Sequence, residues 1–179
     1  MLRIVCLNAD NYEGRGAEYV HILYDMVSRN LPDGFPGKFV CFTNDDPKNY
    51  SAAIEVRPLP NPGLTGWYHK LSLFQDGLFP QGDRIVYFDL DTVITGPLDE
   101  IVKYEGDFGV LRDFYRPNDM GSAVMLWRAG GVSGAIWHSW VHLGFPHHTY
   151  GDQGIIEDFF RYRSGYEILQ EKFPGDIRS

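Results

Sequence analysis

The stretch RIVYFDLDTVITGPLDEI, residues 84–101, decides how this chain is read. A strongly apolar run, Ile85, Val86, Tyr87 and Phe88, stops abruptly at Asp89-Leu90-Asp91. A short apolar run bounded in this way reads as a buried strand. Side chains alternate along a strand, so Asp89 and Asp91 share one side and Leu90 points to the other. Two carboxylates are hard oxygen donors, and with little basic company they suit Mg²⁺ or Mn²⁺. An ion held by one or two carboxylates completes its shell with substrate phosphates and water. The plainer alternative is that the aspartates cap the turn at 92–96 and meet solvent. The string Asp-x-Asp alone favours that alternative, and the apolar strand before it shifts the balance towards a ligand site.

Outward from this strand, strand-like and helix-like segments alternate. Residues 2–7 predict a buried strand, and the polar loop Asn8 to Gly14 follows it directly. Val20, Leu23 and Val27 recur at helical spacing and predict a helix over 17–30. Asn30-Leu31-Pro32 and Asp33-Gly34 end it. Strands are expected at 38–42, 54–57, 84–88, 108–111 and 123–127, with a short last strand at 166–169. Pro58, Pro60 and Pro62 stiffen the loop after the third strand, because proline cannot continue a ladder. Helices are expected at 66–74, 97–104, 132–143 and 152–162, and loops at 112–121 and 144–149. Strands alternating with helices imply an α/β sandwich around a mostly parallel sheet. In such sheets ligands bind beyond the carboxyl ends of the strands, which is where Asp89 and Asp91 fall.

The bulk properties exclude several roles. The chain has 179 residues, enough for one domain with a real core and too few for two of ordinary size. Its net charge of −8, without clustered Lys or Arg, argues against nucleic acid or an anionic membrane surface as main partner. No apolar run is long enough to span a bilayer. The N-terminal residues enter a strand-like run and lack a signal-peptide layout. Cys6 and Cys41 sit in apolar β-like runs and read as buried reduced thiols. Together these point to a cytoplasmic protein. Aromatic residues make up 15% of the chain, which sugar-handling surfaces and aromatic cores produce alike.

Two resemblances follow from the aspartate pair. YFDLDTV locally resembles the motif of haloacid-dehalogenase-like phosphatases, in which the first Asp is a nucleophile and the second a general acid. That motif normally opens its domain, whereas here a strand–helix–strand region precedes it. A longer series, WYHKLSLF, RIVYFDLDTVITGPLDEI, GSAVMLW and GDQGIIEDFF, resembles glycosyltransferase family 8 and glycogenin-like enzymes of the GT-A fold. The motifs occur in the family's order, and the N-terminal strand, loop and helix also fit, so the resemblance covers most of the chain.

The resemblance implies a GT-A, Rossmann-like sandwich spanning 1–179 as one domain. It implies sugar transfer from a nucleotide-diphosphate sugar, a UDP-sugar by preference, with retention of anomeric configuration. The acceptor is left open among glycan, lipid and protein. Asp89 and Asp91 would bind Mn²⁺ or Mg²⁺ and, with Leu90 between them, the donor. Lys70 would reach the donor, the alternative being a surface lysine on an amphipathic helix. Asp152-Gln153 matches the family's DQ pair near the reacting sugar, and Asp152 would also serve as an N-cap. Leu7, Asn8, Asp10 and Tyr12 fall where the family binds the base, with Tyr12 available to stack.

Ser122 matches the serine of the family's NSGVM strand, while Gly121 replaces its Asn and Ala123 its Gly. Asp113 would contact donor sugar or acceptor, or pair with Arg112 or Arg116. The family's later His, a third metal ligand, has no counterpart after Asp152. All six histidines, His21, His69, His138, His142, His147 and His148, precede it. The third ligand is therefore water or another residue, or belongs to a longer chain. A non-catalytic relative that binds nucleotide sugar or glycan is the remaining alternative.

Overall fold

The apolar run at 85–88 forms a strand over Arg84–Phe88, the fourth of seven in one sheet. The computed structural model describes residues 1–175, so the end of the expected 1–179 domain lies outside the described residues. The strands are β1 (Leu2–Asn8), β2 (Lys38–Thr43), β3 (Glu55–Pro58), β4 (Arg84–Phe88), β5 (Phe108–Arg112), β6 (Met120–Arg128) and β7 (Glu167–Ile168). The helices are α1 (Gly16–Asn30), α2 (His69–Ser72), α3 (Asp99–Val102), α4 (Val132–His142), α5 (Gly151–Phe160) and α6 (Leu169–Lys172).

The strand order is β3-β2-β1-β4-β6-β5-β7. β1 pairs in parallel with β2 and β4, β2 with β3, and β5 with β7. β6 alone runs against its neighbours β4 and β5. The chain winds outward from β1 to β3 and then returns to place β4 on the other side of β1. The crevice between the ends of β1 and β4 is thus the topological switch point, where open α/β sheets bind ligands.

Alternation along the strands sorts the core into two layers. Val5, Leu7, Ile85, Tyr87, Val110 and Met125 face one way, packed with Leu71 of α2, Ile136 of α4 and Ile156 of α5. Ile4, Cys6, Val86, Phe88 and Leu126 face the other, packed with Val20, Leu23 and Val27 of α1, Ile101 of α3 and Leu169 of α6. Helices therefore cover both faces, and the α/β sandwich expected from the sequence is the observed architecture. Burying these two layers is the main favourable contribution to the fold.

Three local expectations are corrected. The helix expected over 66–74 is a 3₁₀ turn at Gly66–Tyr68 leading into the single α turn of α2. The last β-structure is shorter than expected, because α6 takes over at Leu169. β6 starts at Met120, inside the expected loop, and its register with β5 jumps between Val110 and Leu111. Ser122, Ala123 and Val124 are left without a partner on β5. The other edge of the bulge still serves β4, since Asp89 N–H donates to Ala123 O at 2.8 Å. Bulges commonly re-aim a side chain beside a functional site.

Candidate functional site

Lys70 occupies the centre of the crevice end of β4. It is not the surface lysine that an amphipathic helix would present: its side chain is 10% exposed. Its Nζ donates to Asp89 Oδ2 at 3.0 Å and to Ser122 Oγ at 3.1 Å, and lies 3.5 Å from Asp152 Oδ2. One ammonium therefore faces two carboxylates drawn from β4 and α5. Burial by itself would lower the Lys70 pKa, but the Asp152 and Asp89 charges outweigh it and hold the ammonium above its ordinary value.

Asp89 continues the face of β4 that carries Tyr87, and the Tyr87 hydroxyl donates to Asp89 Oδ1 at 2.6 Å. Both Asp89 oxygens are thus oriented before any ligand arrives. Leu90 points the other way, as alternation requires, and is buried in the α1-side core. Its side chain does not face the crevice. Asp91 is exposed.

Asp152 is the second residue of α5, and Tyr150 holds the N-cap position. The N-cap role expected for it is not what the structure shows, because the carboxylate is turned inward towards Lys70. Its Oδ2 is buried and, among the described residues, accepts no hydrogen bond. Burial raises the Asp152 pKa, against the pull of Lys70 and a hydrogen bond from Ser122, and the nearby Asp89 charge adds to the rise. The preceding Gly151 makes this helix start possible. Its φ is +58°, and a Cβ there would come within 2.7 Å of the Trp67 ring.

Gln153 does not touch this group. Its amide donates to Asp113 Oδ2 and ties α5 to the hairpin loop between β5 and β6. Asp113 also accepts from the amides of Tyr115 and Arg116, both at 2.7 Å, and pairs with Arg116. Burial acts to raise the Asp113 pKa, and the bond from Gln153 and these two amides overcome it and hold it below the ordinary value. Gly121 packs closely on this loop; a Cβ would lie 3.3 Å from Leu111 Cβ and 3.4 Å from Asp113 Cα.

The loop after β1 lies across the switch point from these residues. Tyr12 is half-buried, and the Tyr12 phenol is raised first by burial and then by the Asp91 charge, so it shares the electrostatic field of the aspartate pair. Its ring meets Tyr19 edge-on at 5.3 Å. Asp10 is exposed and exchanges two hydrogen bonds of 3.0 Å with Asn44. Asn8 and Leu7 are buried. Asn8 Nδ2 donates to the Tyr50 hydroxyl at 2.6 Å, and its Oδ1 accepts from Tyr12 N–H at 3.1 Å. The Asn8 carboxamide is committed to shaping the loop, and the Leu7 side chain to the core. Asp10, Asn11 and Glu13 all adopt positive φ, a concentration of strain typical of functional loops.

Among the described residues, no group of three or more His, Cys, Asp or Glu could enclose a metal ion. The donor set, Asp89 and Asp91, fits a hard cation that draws most of its ligands from a diphosphate and water. It does not fit a protein-enclosed metal centre.

Sequence reasoning passed over several residues at this site. Tyr87 was detectable, being two positions before Asp89 on the same strand face. Arg116, one of the partners expected for Asp113, lines the same cleft, of about 590 Å³, as Lys70, Asp89 and Asp152, and so do Trp67 and Tyr150. Nothing local in the sequence marks them. His69, beside Lys70, is buried, and its Nδ1 has no hydrogen-bond partner among the described residues. Burial lowers its pKa against the attraction of Asp10.

The fold is shared with solved glycosyltransferases. The chain is similar to the apo form of the glycosyltransferase GlyE of Streptococcus pneumoniae TIGR4, with a TM-score of 0.67 at 14% identity, over 94% of this chain and 45% of that one. A second GlyE structure matches with a TM-score of 0.70 at 14% identity, over 97% and 46% of the two chains. The apo structure of the bifunctional glycosyltransferase WbbM matches with a TM-score of 0.72 at 15% identity, over 94% and 38%. The chain spans less than half the length of each of these neighbours. No protein-family model and no curated protein sequence matches it.

Proposed function

We propose that this chain transfers a sugar from a nucleotide-diphosphate sugar, a UDP-sugar by preference, in the manner of family 8 glycosyltransferases. The observation that carries this reading is the convergence of Asp89, Lys70, Ser122 and Asp152 at the switch point of a glycosyltransferase fold. Asp89 and Asp91 would hold Mn²⁺ or Mg²⁺ together with the donor diphosphate. The ion, when bound, supplies Lewis-acid neutralisation of the leaving diphosphate. Lys70 adds a fixed ammonium, held charged by its two carboxylates, where negative charge grows as the sugar–oxygen bond breaks. Asp152 would stabilise positive charge developing on the sugar ring. Tyr87 fixes the orientation of Asp89, and Gln153 holds α5 to the hairpin loop. Tyr12 and Asp10 flank the place for the base.

The phosphatase motif normally follows the strand that opens its domain, whereas here the aspartates follow the fourth strand, β4. The buried free thiols Cys6 and Cys41 fit a reducing, cytoplasmic setting. No helix among the described residues is long and apolar enough to cross a membrane.

The test is release of UDP from a panel of UDP-sugars with Mn²⁺ or Mg²⁺, alone and with acceptors. Metal-dependent release that falls at least about 100-fold in Asp89→Asn and Asp91→Asn is expected, the scale of losing one preorganised electrostatic group. Donor binding without any release would make the chain a non-catalytic relative. Release of phosphate from small phosphomonoesters, with no UDP-sugar consumed, would sink the reading.

A further inference from the structure

The β5 side of the cleft carries a rim of aromatic rings. Trp67 is 66% exposed, Phe114 65%, Tyr115 89% and Tyr150 51%, and all four line the cleft that holds Lys70, Asp89 and Asp152. Exposed aromatic surface gathered around one cleft marks an interaction site. These rings are held in place. Trp67 packs on the backbone of Gly151, and the Arg116 guanidinium covers one face of Tyr150 at 3.7 Å from its centroid. Phe114 and Tyr115 meet edge-to-face at 5.0 Å at the tip of a loop fixed by Asp113. Rings fixed in advance lose little entropy on binding.

We infer that this rim is a binding site for a neutral oligosaccharide, which serves as the acceptor. A pyranose has an apolar C–H face and an equator of hydroxyls. The rim offers the matching pair, exposed ring faces interleaved with Asp113, Gln153 and Arg116. An acyl chain would need a continuous apolar channel, and here the floor is Lys70, Asp89 and Asp152.

Against an anionic acceptor, the cations of the cleft already face carboxylates: Lys70 faces Asp89 and Asp152, and Arg112 faces Glu171. Arg116 is already paired with Asp119 at 3.0 Å, Glu157 at 3.4 Å and Asp113 at 3.5 Å, and the whole chain carries −8. The topology separates the two substrates. The proposed base-binding loop follows β1, while Phe114 and Tyr115 follow β5, Tyr150 precedes α5 and Trp67 packs on the start of α5, so the rim lies across β4 from the base. The word acceptor rests on the donor reading above; the sugar-binding rim does not.

The experiment screens the full chain on a printed array of neutral oligosaccharides and then titrates the tightest binder in solution. UDP with Mn²⁺ is titrated separately. Binding is expected to weaken roughly tenfold in Trp67→Leu and in Tyr115→Ala, the scale of one aromatic contact. Tyr115 is almost fully exposed, so that variant tests the rim without disturbing the fold. Tyr162→Ala, an equally exposed ring outside the cleft, should bind as the wild type does. UDP binding with no oligosaccharide bound would overturn the rim and leave the donor reading intact. Oligosaccharide binding without UDP binding would support the rim and overturn the donor reading. Binding undiminished in both rim variants would overturn the rim. So would association with phosphatidylcholine vesicles that Trp67→Leu abolishes, with no oligosaccharide bound.

Discussion

Lys70 is one ammonium serving two carboxylates, and removing it leaves Asp89 and Asp152 with no cation between them. Breaking a buried ion pair on one side typically loses about 3–5 kcal/mol. Lys70→Met is therefore expected to lose stability on that scale in urea unfolding. Lys70→Met combined with Asp152→Asn should lose less than the sum of the two single changes, because the neutral amide no longer needs the ammonium. Asp152 also sets a pH dependence. Its folded pKa is raised above the ordinary aspartate value of about 4, so the folded state holds the proton more tightly than the unfolded chain does. Stability from this group falls as pH rises from the unfolded value through the raised one, and is level beyond it. The role proposed for Asp152 needs the carboxylate, so turnover should fall as pH drops through the same raised value. Asp152→Asn should flatten the stability slope in pH-dependent unfolding while removing turnover.

At this scale the sequence named the charged residues that the fold brings together. Asp89, Lys70 and Asp152 stand in motifs whose order was readable. The burial of Lys70 was not, because it depends on the fold bringing Asp89, Ser122 and Asp152 around it. The exposure of Trp67 and Tyr150 is equally a tertiary fact. An aromatic residue at the edge of a cleft looks, in sequence, like one in a core.

Among the elements, the loop between β1 and α1 shows how backbone geometry is enforced from inside. Asn8 and Gly16 are buried and Asn11 is exposed, and the three form a bracket in which Gly16 N–H donates to Asn11 Oδ1 at 2.9 Å. A Cβ on Gly16 would lie 1.9 Å from Asn8 Oδ1, which Tyr12 N–H and Tyr50 hold in place. Alanine favours a helix over glycine by about 1 kcal/mol, while overpacking a filled site loses about 1–3 kcal/mol. The clash wins, so Gly16→Ala should lower stability in a urea titration and, by moving Tyr12, weaken UDP binding. A stabilising Gly16→Ala would show that the loop is looser than described.

Strand positions were largely readable, since β4 runs over the residues expected and α1 begins one residue before them. The β6 bulge was not. Register is a relation between two strands, and no single run of residues states which partner positions are skipped. Ser122 was found through its motif, while the reason it reaches Lys70 lies in that skipped register.

For the whole molecule, the strand order places the end of β4 between two loop systems, one after β1 and one between β5 and β6. In the proposed function, donor and acceptor would approach the same carboxylates from opposite sides. The mostly parallel sandwich followed from alternating strands and helices. The reversed direction of β6 did not, because a strand's polarity is set by its connection and not by its composition.

The most direct test of the nucleotide-diphosphate reading is thermal unfolding with UDP and Mn²⁺, singly and together. A ligand at about 100 times its Kd stabilises by about 2.7 kcal/mol, which is roughly 5–10 °C in Tm for a chain of this size. The site described here predicts that shift only when UDP and Mn²⁺ are both present, and its loss in Asp89→Asn/Asp91→Asn. A shift of the same size without metal, or one that survives in the double variant, would contradict it.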